Sequence, residues 1–125
     1  MSGGVQLLAG VYALVLMAIA LLEITQYRNP RFYSIFVIEP GNYDAVRMWA
    51  ICVGAFNLTF AAGIGLGLAL YQQGYVGEGR GLVIFLVGAH LALGLVLVAV
   101  ERRLWRSAIG EAGIPALVLG LHFLG

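Results

Sequence analysis

Four stretches of about twenty mostly apolar residues, separated by short polar breaks, constrain this chain more than any other feature. They fall at roughly residues 5–24, 45–71, 82–100 and 108–124. Backbone N–H and C=O groups cannot stay unpaired in hydrocarbon, so runs of this length read as helices that satisfy their own backbone. A transmembrane β-barrel would instead alternate apolar and polar residues in ten-residue segments, and no such alternation is present. Composition agrees: 62% of residues are apolar and 10% charged, whereas a soluble domain needs about 25% charged residues to solvate its surface. The sequence therefore predicts an all-α protein, a four-transmembrane-helix antiparallel bundle forming a single domain over residues 1–125.

The connections set the topology. The first, Thr25 to Asp44, contains the turn signals Asn29-Pro30 and Pro40-Gly41-Asn42. The aromatic-rich segment between them, Arg31 to Ile38, is expected to form a short interfacial helix lying flat in the headgroup layer. Asn42 is placed to cap the second span, with Asp44 in its first turn. The second connection, Gln72 to Gly81, is glycine-rich and reads as flexible. The third, Glu101 to Ser107, is short enough to make a tight hairpin of the last two spans. Six of the seven Arg residues lie in or beside the first and third connections, and only Arg80 lies in the second. By the positive-inside rule those two connections face the cytoplasm and both termini lie outside.

A weak repeat runs through the chain. Gly10-x-Tyr12, Glu23 and Tyr27-Arg28 recur as Gly88-x-His90, Glu101 and Trp105-Arg106, at one offset of 78 residues. It predicts that the first and third spans occupy equivalent places about an axis along the membrane normal.

Small residues mark the packing surfaces. Gly63 and Gly67 form a GxxxG on the second span, and Ala108, Ala112, Ala116 and Gly120 form a ridge on the fourth. Such residues let helix backbones approach closely in lipid, so both sets are expected to be buried within the bundle or against a second copy. A bulky residue at Ala116 should then destabilise the protein. Cys52, the single cysteine, is expected to be a small buried apolar residue.

Polar residues at membrane depth carry the functional readings. Asn57 and His90 lie near mid-span, and Asn57 or Tyr12 is the expected partner of His90. The sequon Asn57-Leu58-Thr59 lies mid-helix, where it cannot be glycosylated. Glu111 lies one turn inside the last span, and Pro115 removes the hydrogen bond to its backbone carbonyl. Its carboxylate should turn inward, either to Arg103 or Arg47 or into a cavity as a proton-binding site. Glu23, Arg47, Glu101, Arg102, Arg103 and Arg106 read as a cytoplasmic ring of interfacial ion pairs and snorkelling side chains. His90 and His122 differ in depth by about 9 Å, too much for two axial ligands of one haem. No nucleophile–base pair, phosphate loop, HxxxH, CxxC or paired mid-membrane carboxylates are found. The expectation is a non-enzymatic membrane protein with no cofactor and no metal. Its partner is the lipid bilayer, with a homo-oligomer or larger complex as a further expectation. With a net charge of +1, nothing points to nucleic acid. Two readings follow: a structural or small-apolar-ligand-binding protein, or a small oligomeric transporter or channel with a polar path through Asn57, His90 and Glu111.

Short motifs along most of the chain support a resemblance. Leu22-Glu23, Tyr27, Pro30 and Phe36, then Gly54-Ala55-Phe56-Asn57 with Ala61-Ala62-Gly63, and finally Gly113-Ile114-Pro115-Ala116-Leu117 resemble a family of small bacterial four-helix membrane proteins, domain of unknown function 1304. The resemblance implies a multi-pass protein of the bacterial cytoplasmic membrane and implies no activity. This chain has Cys52-Val53 where the family usually has Asn-Gln. It has Glu111-Ala112 where the family tends to have a Gln.

Overall fold

The computed structural model describes residues 1–125. Helix α1 spans Gly3–Gln26 and starts where the Ser2 hydroxyl accepts from the Val5 N–H at 3.2 Å. The first connection carries a 3₁₀ turn (Pro30–Phe32) and a one-turn helix, α2 (Tyr33–Phe36). A second 3₁₀ turn (Pro40–Asn42) leads to α3 (Arg47–Gln72). Helices α4 (Val76–Val100) and α5 (Trp105–Leu124) follow, joined by a 3₁₀ turn at Arg102–Leu104. The four long helices are long and apolar enough to cross a bilayer, and the chain is a multi-pass membrane protein. Only 23 of 125 residues are buried, so most of the apolar surface faces outward. Leu7, Leu14, Phe56, Phe85, Leu95 and Phe123 are all exposed, which water would not tolerate on this scale and lipid does.

The long helices form a ring in chain order. Helix α1 packs on α3 and α5, α4 packs on α3 and α5, and α1 and α4 stand diagonally opposed. Tyr12 and His90 meet across the diagonal with ring centroids 5.8 Å apart. The core cluster runs through Val5, Ala9, Tyr12 and Leu16 of α1, Ala61 and Ile64 of α3, Val83 and Val87 of α4 and Val118 of α5.

Several expectations are corrected. Helix α4 begins at Val76, so Gln72 to Gly81 is no flexible loop; the break is confined to Gln73–Tyr75. Gly74, at φ +100°, turns the chain there, in a conformation that side-chain-bearing residues avoid. Gly79 belongs to the helix because a Cβ on it would strike the backbone of Gly67 and Tyr71. Its glycine serves close approach rather than flexibility. Asn42 does not cap α3: the N-cap position is Val46, without a side-chain bond, and Asn42 sits in the preceding 3₁₀ turn. Cys52 is exposed, on the outer side of α3. The Arg31–Ile38 segment packs on the end of the bundle. Ile38 is buried against Tyr27 and Ala50, and the Ser107 hydroxyl donates to the Ile35 carbonyl at 2.6 Å.

The two small-residue surfaces behave differently. Gly63 and Gly67 seat α3 on α4, where a Cβ at Gly67 would lie 2.7 Å from the Val83 side chain. On α5, Ala108 is buried and Ala112 lies against Gly94 of α4. Ala116 is exposed, and a Cβ at Gly120 would meet nothing within 4 Å. A four-residue step on a 3.6-residue helix drifts by about 40°, so a ridge that starts in the interface has turned out of it two steps later.

Candidate functional site

The Arg-rich end of the bundle carries a partly open cavity of about 390 Å³. Ile19 and Glu23 of α1, Trp49, Ala50 and Val53 of α3, Leu97 of α4 and Ser107, Gly110 and Glu111 of α5 form its walls. Ile35, Phe36 and Ile38 of the folded-back segment roof it, with Tyr27 and Arg106 also in its lining. Beside it Gly54 holds α3 tightly on Ala20 and Ile24 of α1, and Gly94 holds α4 on α5. Ten of its fifteen lining residues are hydrophobic, which makes the two carboxylates among them conspicuous. Its size falls within the range of small-molecule sites, about 300–1,000 Å³.

Glu23 is 8% exposed, and its Oε1 accepts from the Asn57 side-chain amide at 2.6 Å. The interfacial ion-pair role expected of Glu23 is thus replaced by a buried hydrogen bond across the α1–α3 interface. The Asn57 amide nitrogen is engaged by this bond, and Asn57 makes none to His90.

Glu111 lies on the cavity wall and makes no ion pair with Arg47 or Arg103. Arg103 instead binds Glu101 through Nε and a second guanidinium nitrogen, both at 3.0 Å, and holds that carboxyl below its ordinary range. The other ion pair joins Arg28 to Asp44 across the first connection. Arg47 and Arg102 are exposed, and Arg106 stacks its guanidinium over the Trp105 ring at 4.4 Å. The expected ring of ion pairs is reduced to one of its pairs, because most of these long side chains extend away from the helix ends.

The backbone carbonyl of Glu111, which Pro115 leaves without its helical N–H, accepts from the Tyr12 hydroxyl at 2.9 Å. Tyr12 is fully buried and touches His90 by its ring edge, so it joins α1 to both α4 and α5. His90 is 1% exposed, lies 4.6 Å from the Phe60 ring centroid, and neither ring nitrogen has a hydrogen-bond partner. It stands apart from the cavity, whose lining includes Glu111 but neither Asn57 nor His90. The residue that sequence reasoning misplaced is Glu23. Its signal was its place inside the helix, since α1 continues through Ile24 and Thr25 to Gln26 beyond it.

A family model described as protein of unknown function (DUF1304) matches residues 10–123. No curated protein and no solved structure matches the chain. The match extends from the middle of α1 almost to the end of α5 and so takes in every residue of the cavity wall, and by it the chain belongs to the DUF1304 family of proteins of unknown function.

Proposed function

We propose that this protein is a non-enzymatic membrane protein that holds a small, largely apolar molecule in the cavity at the Arg-rich end of its helical bundle. The observation that carries this reading is the cavity itself: about 390 Å³, walled mainly by hydrophobic side chains and roofed by a segment that folds back over it. Side chains around a recess of this size lack protein contacts on one side, and a bound molecule would supply them. Nothing in the lining supplies a nucleophile with an adjacent base, which supports binding over catalysis. Access from the lipid or interfacial side, past α2, suits a ligand that partitions into the bilayer.

Filling the cavity tests the reading. A Cβ at Gly110 would sit 3.5 Å from Ile19, an ordinary contact, so Gly110→Phe directs a ring into the space without a backbone clash. Replacing a helical glycine also favours the helix, by up to about 1 kcal/mol relative to Gly. With the protein in lipid nanodiscs, naphthyl-sized probes, neutral or charged, should bind saturably above protein-free nanodiscs. Gly110→Phe should abolish that binding while leaving the melting temperature equal or higher. Absence of saturable binding by every such probe, or binding that survives Gly110→Phe, overturns the proposal.

A further inference from the structure

The charge of the occupant follows from what the cavity wall lacks. Glu23 and Glu111 both reach the lining, and Glu23 is more than nine-tenths buried. One oxygen of Glu23 is engaged by Asn57; its Oε2 receives no hydrogen bond from the protein, and the Glu111 carboxylate receives none at either oxygen. Arg28 pairs with Asp44 and Arg103 with Glu101, while Arg106, which also lines the cavity, lays its guanidinium over the Trp105 ring and makes no ion pair with either carboxylate. A carboxylate removed from bulk water needs a compensating partner, and two of them in one apolar space repel an anion. We propose that the cavity takes an apolar molecule carrying a protonated amine, its body against Ile19, Trp49, Val53 and Leu97 and its ammonium between Glu23 and Glu111. An ammonium presents three donors and no acceptor, which matches oxygens that are all acceptors. This inference rests on the cavity-binding reading and adds the charge of the ligand to it.

The probes are 1-naphthylmethylamine, 1-naphthylmethanol and 1-naphthoic acid, which share a ring system and differ in the polar group. Binding is measured by equilibrium dialysis at neutral pH on the full chain in phosphatidylcholine nanodiscs, with empty nanodiscs as baseline. The amine should bind about tenfold more tightly than the alcohol, the acid most weakly. Glu111→Gln should reduce amine binding about tenfold and leave alcohol binding unchanged, with an unaltered melting temperature reporting that the variant is folded. Glu23→Gln, which retains an acceptor for Asn57, is the second variant and should act in the same direction. Equal binding of amine and alcohol, or amine binding that ignores both substitutions, overturns the charge assignment while leaving the cavity reading in place. No binding by any probe removes both. Adding phosphatidylethanolamine to the nanodiscs separates two sources of the same chemistry: competition with the amine probe assigns the natural ammonium to a lipid headgroup, and lack of competition assigns it to a free lipophilic amine.

Discussion

Two residues far apart in the chain illustrate how local defects are repaired in lipid. Pro115 cannot donate to the Glu111 carbonyl, and no water is at hand inside a bilayer to replace the missing N–H. Tyr12, 99 positions away, donates its hydroxyl instead. This pairing makes a specific prediction. Tyr12→Phe should lower stability by about 1 kcal/mol, since a carbonyl loses its only donor. In a Pro115→Ala background the helix restores its own bond, so the same Tyr12→Phe change should cost markedly less. Thermal melts of the four proteins in detergent give the coupling. Simple additivity across that cycle means the two residues do not share the carbonyl. Proline was legible as a source of a free acceptor, whereas the identity of the donor was not, because four other hydroxyl-bearing residues, Thr25, Thr59, Tyr71 and Ser107, also lie in the long helices.

At the scale of helices, glycine position decides which surfaces close. Gly54, Gly67, Gly79 and Gly94 each stand where a Cβ would collide with a neighbouring helix. Gly67→Val should therefore lower stability by about 1–3 kcal/mol through overpacking against Val83. Ala116→Leu, on the exposed side of α5, should leave the melting curve in detergent unchanged. The pair of variants is the useful measurement, because a drop at Ala116 matching that at Gly67 means that a second copy, or another partner, covers that face. From sequence, the GxxxG and the alanine ridge looked alike. They differ because close packing needs a crossing point on both partners, and α4 offers Gly79 opposite Gly67 but nothing opposite Ala116.

At the scale of the molecule, both chain ends lie together: Met1, Ser2, Leu121, His122 and Gly125 line one open pocket. The cavity and six of the seven Arg residues occupy the other end, beside the first and third connections. The positive-inside rule then predicts a cytoplasmic cavity end and both termini outside. Reporter fusions at the C-terminus and within the Arg28–Asp44 connection check this. An alkaline phosphatase fusion at Gly125 should be active and a fluorescent-protein fusion there dark; the opposite pattern reverses the orientation.

The number of spans, their helical nature and their alternating directions were determined by the sequence alone. Hydrocarbon imposes a length and a backbone-satisfaction rule that any twenty-residue apolar run must obey. The DUF1304 resemblance was equally legible in short motifs such as Gly54-Ala55-Phe56-Asn57 and Gly113-Ile114-Pro115. What only the tertiary structure decided is which polar residues meet. In these helices nearly every face is apolar, so periodicity scarcely distinguishes an inward from an outward side. The rotation of each helix is set by glycine contacts with its neighbours. That rotation turns Glu23 toward Asn57, Tyr12 toward the Glu111 carbonyl, and Ala116 out of the bundle. It also leaves two carboxylates facing one apolar space, an arrangement set by the packing of α1 against α3 and α5 and carried by no local pattern in the chain.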